Sequence, residues 1–313
     1  MARNRVLQVG PSTALVSQHL ENHYDVVRLW EHDDAIAALK AYGQDCVAVV
    51  TSAKQGFRNE WLDYLPNLKV VSNFGVGYDA IDAAELQRRG IQLGNTPDVL
   101  NDCVADTAMT LLLGAARGLV RADRFVREGQ WPKAEFPLTH SVSGKKAGIV
   151  GLGNIGQVIA KRLSGFDCEI RYHNRSEKQG VPYRYEPSLK ALAQWSDFLI
   201  IICIGGPSTH HLINDEIMSA LGPKGLLINV SRGTVIDEVA MIKALQEGRL
   251  GAAALDVFEN EPYVPEALLA MDNVVLMPHV GSATVETRQR MSQRVIDNLD
   301  GFFQDGQMIS RVV

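Results

Sequence analysis

Lys146-Ala147-Gly148-Ile149-Val150-Gly151-Leu152-Gly153-Asn154-Ile155-Gly156 decides how this chain is read. A short apolar run, Ala147–Val150, leads into a Gly-x-Gly-x-x-Gly turn. Val158, Ile159 and Leu163 then recur at helical spacing. Strand, glycine turn and helix in that order suit a dinucleotide pyrophosphate. Gly151 permits the tight turn, Gly153 lets backbone approach the phosphates, and Gly156 lets the helix lie close to the sheet. The helix N-terminus adds N–H groups and a positive dipole end, so Asn154 and Ile155 join the glycines as expected cofactor contacts.

One part of an NAD site is missing. Such a site carries Asp or Glu about 20 residues further on, for the ribose hydroxyls. Here the next strand-like run, Glu169–Asn174, is followed by Arg175-Ser176. An Arg suits a 2′-phosphate, Ser176 offers it a hydroxyl donor, and Lys178 adds more remote charge. Asn174, Arg175 and Ser176 are therefore expected at the cofactor. NADPH is the preferred cofactor on this reading, and NADH the secondary one.

The chain has 313 residues, enough for two domains, with a net charge of −5 and an apolar fraction of 46%. No basic run stands out, which argues against nucleic acid or an anionic membrane as partner. Cys46, Cys103, Cys168 and Cys203 form no Cys-x-x-Cys, and no His/Cys cluster of metal-ligand spacing is read; no metal is assigned. Reduced thiols and the absence of a signal-type apolar segment lead to a cytoplasmic expectation. The longest aliphatic run, Phe198–Ile204, is too short to span a bilayer and reads as a buried parallel strand.

Apolar runs alternate with helical patterns along nearly the whole chain. Strands are expected at 6–9, 26–29, 47–50, 70–74 and 91–93, then at 147–150, 169–172, 198–204, 226–230, 252–257 and 274–277. A helix is expected from Asp102 to about Gly118, and another from about Thr284 to Phe303. The fold class is α/β, with two doubly wound parallel-sheet domains. Pro97 interrupts regular structure near the first boundary. Residues 1–98 with about 288–313 form one expected domain and residues 99–287 the dinucleotide-binding one. Ligands in such sheets lie beyond the carboxyl ends of the strands, and the cleft between domains is the expected site for a second substrate.

Several chemical side chains follow strands of the second series: Arg232 after 226–230, Glu261 after 252–257, and His279 after 274–277. Taken singly, each is an ordinary loop residue. Together, at one edge of a nucleotide-binding sheet, they meet the needs of hydride transfer to a 2-oxo acid. Arg232 is a permanently charged bidentate donor for a carboxylate. His279 can deliver a proton near neutral pH, and Glu261 can steady the imidazolium.

These motifs resemble the D-isomer-specific 2-hydroxyacid dehydrogenase family over essentially the whole length. The resemblance rests on Val150–Gly156, Asn229-Val230-Ser231-Arg232-Gly233, Ala254–Pro262 and Met277-Pro278-His279-Val280-Gly281-Ser282. It implies a flavodoxin-like substrate domain beside a Rossmann cofactor domain. It assigns catalysis to Arg232, Glu261 and His279, and the nicotinamide carboxamide to Asp256. In Asn73-Phe74-Gly75-Val76-Gly77-Tyr78-Asp79 it assigns the amides of Val76 and Gly77 to the substrate carboxylate. Leu100 is expected to line the substrate pocket, beside Arg232. Thr107, Ile204, Val230, Arg232, His279 and Gly281 complete the expected cofactor contacts. Trp131 lies in a segment that in relatives reaches across a dimer interface, so a homodimer is expected.

Within the family, His173–Ser176 and Leu276–Arg288 most resemble NADPH-dependent glyoxylate/hydroxypyruvate reductases and hydroxyphenylpyruvate reductases. The expected reaction is reduction of small 2-oxo acids to 2-hydroxy acids. Larger substrates, of the hydroxyphenylpyruvate or 2-ketogluconate type, stay open. A dinucleotide-sensing, corepressor-like binding protein and a dehydrogenase that oxidises formate or phosphite are the remaining readings.

Overall fold

The computed structural model describes residues 3–313, and the chain divides into two compact units. One runs up to Leu100 and includes Ala283–Val313; the other is Asn101–Ser282. The return falls earlier than residue 288 because Thr284 caps the last helix, accepting from Thr287 N at 3.3 Å, so the whole helix belongs to the first unit. The first crossing falls at Leu100 rather than at residue 98, directly before the helix that opens at Asn101.

The first unit is a five-stranded sheet: β1 Arg5–Gln8, β2 Asp25–Arg28, β3 Cys46–Ser52, β4 Val70–Phe74 and β5 Gln92–Gly94, in the order β2-β1-β3-β4-β5. Every pairing is parallel. Its central strands read as continuous apolar runs because both faces are covered; Ala48, Val49, Val70 and Val71 are fully buried. The helix Val285–Asp305 packs on β4, burying Met291, Val295 and Leu299 along one stripe. The free edge of β5 is covered by the last residues: Val312 N donates to Leu93 O at 2.7 Å, and Gly94 bridges Arg311.

The second unit is a seven-stranded sheet: β6 Lys146–Val150, β7 Glu169–His173, β8 Arg184–Tyr185, β9 Phe198–Ile201, β10 Leu226–Asn229, β11 Ala252–Leu255 and β12 Val274–Leu276. The order is β12-β11-β10-β9-β6-β7-β8, again all parallel. Strand order reverses at β6, which places a topological switch point between β6 and β9. The loops leaving these two strands carry Gly151–Gly156 and Ile204–Gly206. The helix Asn101–Ala116, largely buried, packs on the helix Asn154–Ser164 and against β10 and β11.

Two elements escape the sequence reading. β8 is only two residues long, and the helix Leu119–Arg127 buries none of its residues, although Leu119, Ala122, Phe125 and Val126 recur at helical spacing. Gly118, at φ +60°, separates that helix from the preceding one. β9 and β11 also stop short of the expected 204 and 257. Beyond β9 the chain passes against Gly151, where an added Cβ would lie 2.6 Å from Cys203 N. No single described helix is long and apolar enough to cross a membrane.

Gly156 lies so close to the turn before it that a Cβ would sit 2.2 Å from Gly151 O, which is backbone and cannot swing aside. Gly156→Ala should therefore destabilise the protein by about 1–3 kcal/mol, despite the better helix propensity of Ala. Chemical denaturation measures this; a variant as stable as the parent would mean that the turn is not packed against the helix.

Candidate active site

The glycine turn is held from the end of β7. Gly151 N donates to His173 O at 3.0 Å, and Leu152 N donates to Asn174 Oδ1 at 2.7 Å. Asn174, expected at the cofactor, thus also braces the turn. Gly153 opens the helix Asn154–Ser164, and no side chain caps it. By contrast, Thr13, Asp34, Asp82, Ser188, Asn214, Asp237 and Thr284 each cap the helix they precede. A Cβ on Gly153 would meet nothing within 4 Å. An uncapped N-terminus beside open space at the switch point fits a phosphate group. Arg175 and Ser176 are exposed just past β7, as a 2′-phosphate contact requires.

The acid/base residues gather past β11 and β12. His279 Nδ1 lies 2.7 Å from Glu261 Oε2. A carboxylate only accepts, so Nδ1 donates and Nε2 is left as the exchangeable position. The imidazole side chain is 47% exposed and that of Glu261 28%. Burial works against the charge on Glu261. The hydrogen bond and charge of His279, the Phe258 N–H and the positive charge of Arg232 outweigh it, so its pKa falls below the ordinary carboxylate range. The stabilisation tied to this ionised form is complete above the ordinary carboxylate range and lost as pH falls through the lowered value.

Asp256 sets the His279 turn. It is 2% exposed. Its carboxylate accepts from Val280 N at 2.8 Å and Gly281 N at 2.7 Å, while its carbonyl accepts from His279 N at 2.8 Å. His279 itself has φ +54°, in the left-handed region that non-glycine residues avoid. Burial raises the pKa of Asp256, the two amides and the His279 charge pull it back, and the net direction is upward.

Arg232 follows β10 on a turn fixed by Asn229, which is fully buried. Asn229 Nδ2 donates to Arg232 O at 2.9 Å, and its Oδ1 accepts from Ser231 N and Ser231 Oγ, both at 3.0 Å. Gly233 packs against the Phe258 backbone, where a Cβ would lie 1.9 Å from the carbonyl carbon. Sequence reading assigned Asn229 no role; a lone Asn ending an apolar strand was the available signal.

In the first unit the loop after β4 has its carbonyls held inward. Asn73 Nδ2 donates to Gly75 O at 3.1 Å and Gly77 O at 2.9 Å, and Asn95 Nδ2 donates to Val76 O at 2.9 Å. In a trans peptide the N–H points opposite its carbonyl. The amides of Val76 and Gly77 therefore face away from Asn73 and Asn95, as an anion-binding turn requires.

The other expected residues differ in exposure. Leu100, Thr107 and Val230 are buried, at 5%, 8% and 7%, and Thr107 Oγ1 donates back to Cys103 O. Ile204 is 72% and Trp131 69% exposed. All four cysteines are free, and burial pushes Cys203, just after β9, up to about 11. No metal ligands were read from the sequence, yet the fold places His210, His211 and Glu259 within ligand distance of one another. The 48-residue separation of His211 and Glu259 hides this from a spacing search.

A nicotinamide-type sheet with an arginine, a histidine and a carboxylate at its strand ends defines a hydride-transfer dehydrogenase. The chain belongs to the D-isomer-specific 2-hydroxyacid dehydrogenases: the NAD-binding domain model of that family matches residues 109–281. The glyoxylate/hydroxypyruvate reductase A HPR2 of Arabidopsis thaliana is 46% identical over 308 residues, 98% of each chain. The hydroxyphenylpyruvate reductase of Plectranthus scutellarioides is 44% identical with the same coverage. The crystal structure of the NADPH-dependent glyoxylate/hydroxypyruvate reductase of Sinorhizobium meliloti, in complex with NADP and malonate, aligns with a TM-score of 0.94 at 44% identity. It covers 100% of this chain and 97% of that one. The protein is thus an oxidoreductase that uses a nicotinamide dinucleotide and a small-molecule substrate.

Asp256→Asn retains one acceptor where the turn needs two. One amide of Val280 or Gly281 is then orphaned, at a cost of about 1–3 kcal/mol. Hydrogen exchange at these two amides should accelerate while exchange in the helix Asn154–Ser164 stays the same. Unchanged protection of Val280 and Gly281 would show that Asp256 does not hold the His279 turn.

Proposed function

We propose that this protein is an NADPH-dependent reductase of small 2-oxo acids, glyoxylate and hydroxypyruvate among them, forming the 2-hydroxy acids. The observation that carries this reading is the His279–Glu261 pair, 2.7 Å apart, projecting from strand ends of a dinucleotide-type sheet. The bound dinucleotide supplies the hydride. Arg232 orients the substrate through its carboxylate and polarises the carbonyl. His279 holds a proton on Nε2 and gives it to the carbonyl oxygen as charge develops there, while Glu261 accepts from Nδ1 and stabilises the imidazolium. The amides of Val76 and Gly77 take a carboxylate. Gly151, Gly153 and Gly156 with the first turn of the following helix hold the pyrophosphate. Arg175 and Ser176 take the 2′-phosphate. Support for NADPH comes from the missing acid after β7 and from the NADP complex of the Sinorhizobium meliloti relative.

His279→Ala should lower kcat by about 10²–10⁴-fold, a much larger effect than on NADPH affinity. The assay follows NADPH oxidation across glyoxylate, hydroxypyruvate, hydroxyphenylpyruvate and 2-ketogluconate, comparing kcat/KM. Near-parental kcat in the variant would refute the proton donor, and a preference for the two larger acids would refute the substrate class.

Arg175→Ala should weaken NADPH binding by about 10- to 100-fold with little effect on NADH. Fluorescence titration with both cofactors checks this; an equal loss for the two would remove the 2′-phosphate role.

A further inference from the structure

We propose that His210, His211 and Glu259 form a binding site for a transition-metal dication of the zinc type. Their ligand atoms, two imidazole nitrogens and a carboxylate oxygen, all lie within 4.8 Å of one another. His211 Nε2 is 2.8 Å from Glu259 Oε1, and the His210 and His211 rings are stacked with centroids 3.9 Å apart. Two imidazoles with one carboxylate are a donor set that zinc takes, with water in the fourth position.

The local backbone prepares this cluster. His211 sits at φ +50°, and its N donates to Thr234 O at 2.9 Å. Ile213, two residues on, bridges Ile236. On the other side, Gly233 has no room for a Cβ against the Phe258–Glu259 backbone, and Glu259 N donates to Glu238 Oε2 at 3.3 Å. Two ligands are thus fixed by the sheet-end loops, while His210 is exposed and stacked on His211. Tetrahedral zinc with bonds of about 2.0–2.2 Å sets its ligand atoms roughly 3.3 Å apart. The His211–Glu259 pair need open only by about half an ångström, the metal replacing the proton they share.

The site would clasp the loop after β9 to the loop after β11. It shares no side chain with the His279–Glu261 pair.

The test is titration of the untagged full chain with Zn2+ in competition with a chromophoric chelator. One equivalent should bind, and the unfolding temperature should rise with free Zn2+. His211→Asn, whose side chain tolerates the left-handed backbone, and Glu259→Gln, which keeps its volume, should each bind at least about tenfold more weakly. His210→Ala should weaken binding too, and His279→Ala should leave it unchanged. Affinity should fall at acid pH as protons compete for the imidazoles. Parental affinity in His211→Asn or Glu259→Gln would overturn the proposal, as would loss of the ion in His279→Ala, which would place it on the other pair. If either of the first two variants fails to fold, binding unchanged in His210→Ala is enough to refute the three-ligand site.

Discussion

The buried carboxylate of Asp256 is the constraint on which the proposed acid/base pair depends. It begins where β11 ends and reaches across to the segment after β12, taking two backbone amides with its side chain and a third with its carbonyl. A left-handed residue other than glycine costs roughly 1–2 kcal/mol. Hydrogen bonds to a charged acceptor contribute about 1.5–3 kcal/mol each. Two such bonds offset the backbone conformation of His279 and reduce the cost of burying the charge. The imidazole is therefore aimed at Glu261 by the sheet itself, because both anchors leave adjacent parallel strands.

The molecule contains two His–Glu pairs of nearly equal length with opposite surroundings. In His279–Glu261, burial of Glu261 is outweighed by the His279 hydrogen bond first, and by the charge of Arg232 with it, so that Glu261 is held ionised. His211–Glu259 has the buried acid Glu238 behind it. The first environment favours a carboxylate that stays charged and passes its influence to a proton carrier. In the second, that acid takes the backbone N–H of Glu259, and among the described residues no cation is provided by a neighbouring arginine of the kind found beside Glu261. Residue type alone would treat the two pairs alike; the neighbours distinguish them.

Much of this was legible from residue order, and the remainder fails for identifiable reasons. Parallel strands buried on both faces write themselves as apolar runs, so the central strands of both sheets could be read directly. Strand ends then located Arg232, Glu261 and His279 without coordinates. β8 was not legible because two residues carry no periodicity; the helix Leu119–Arg127 has Leu119, Ala122, Phe125 and Val126 at helical spacing but buries none of its residues, leaving Leu119, Val120 and Val126 exposed. The bracing asparagines, Asn73, Asn95 and Asn229, look in sequence like ordinary turn formers. Asn73 and Asn229 bond within their own turns, and Asn95 reaches Val76 on the loop after the neighbouring strand. The reach from Asp256 to Val280 and Gly281 likewise depends on the pairing of β11 with β12, which aligns Leu255 with Leu276.

The first unit is discontinuous, and this bears on how the chain acquires its structure during synthesis. The second unit is complete once Ser282 has been added, whereas the first still lacks the helix that covers β4 and the segment that closes the edge of β5. Domains ordinarily fold in the order in which they leave the ribosome. Here that order is inverted. The N-terminal sheet must wait with part of one face and one edge uncovered while the nucleotide-binding unit, translated later, has every strand and helix it needs.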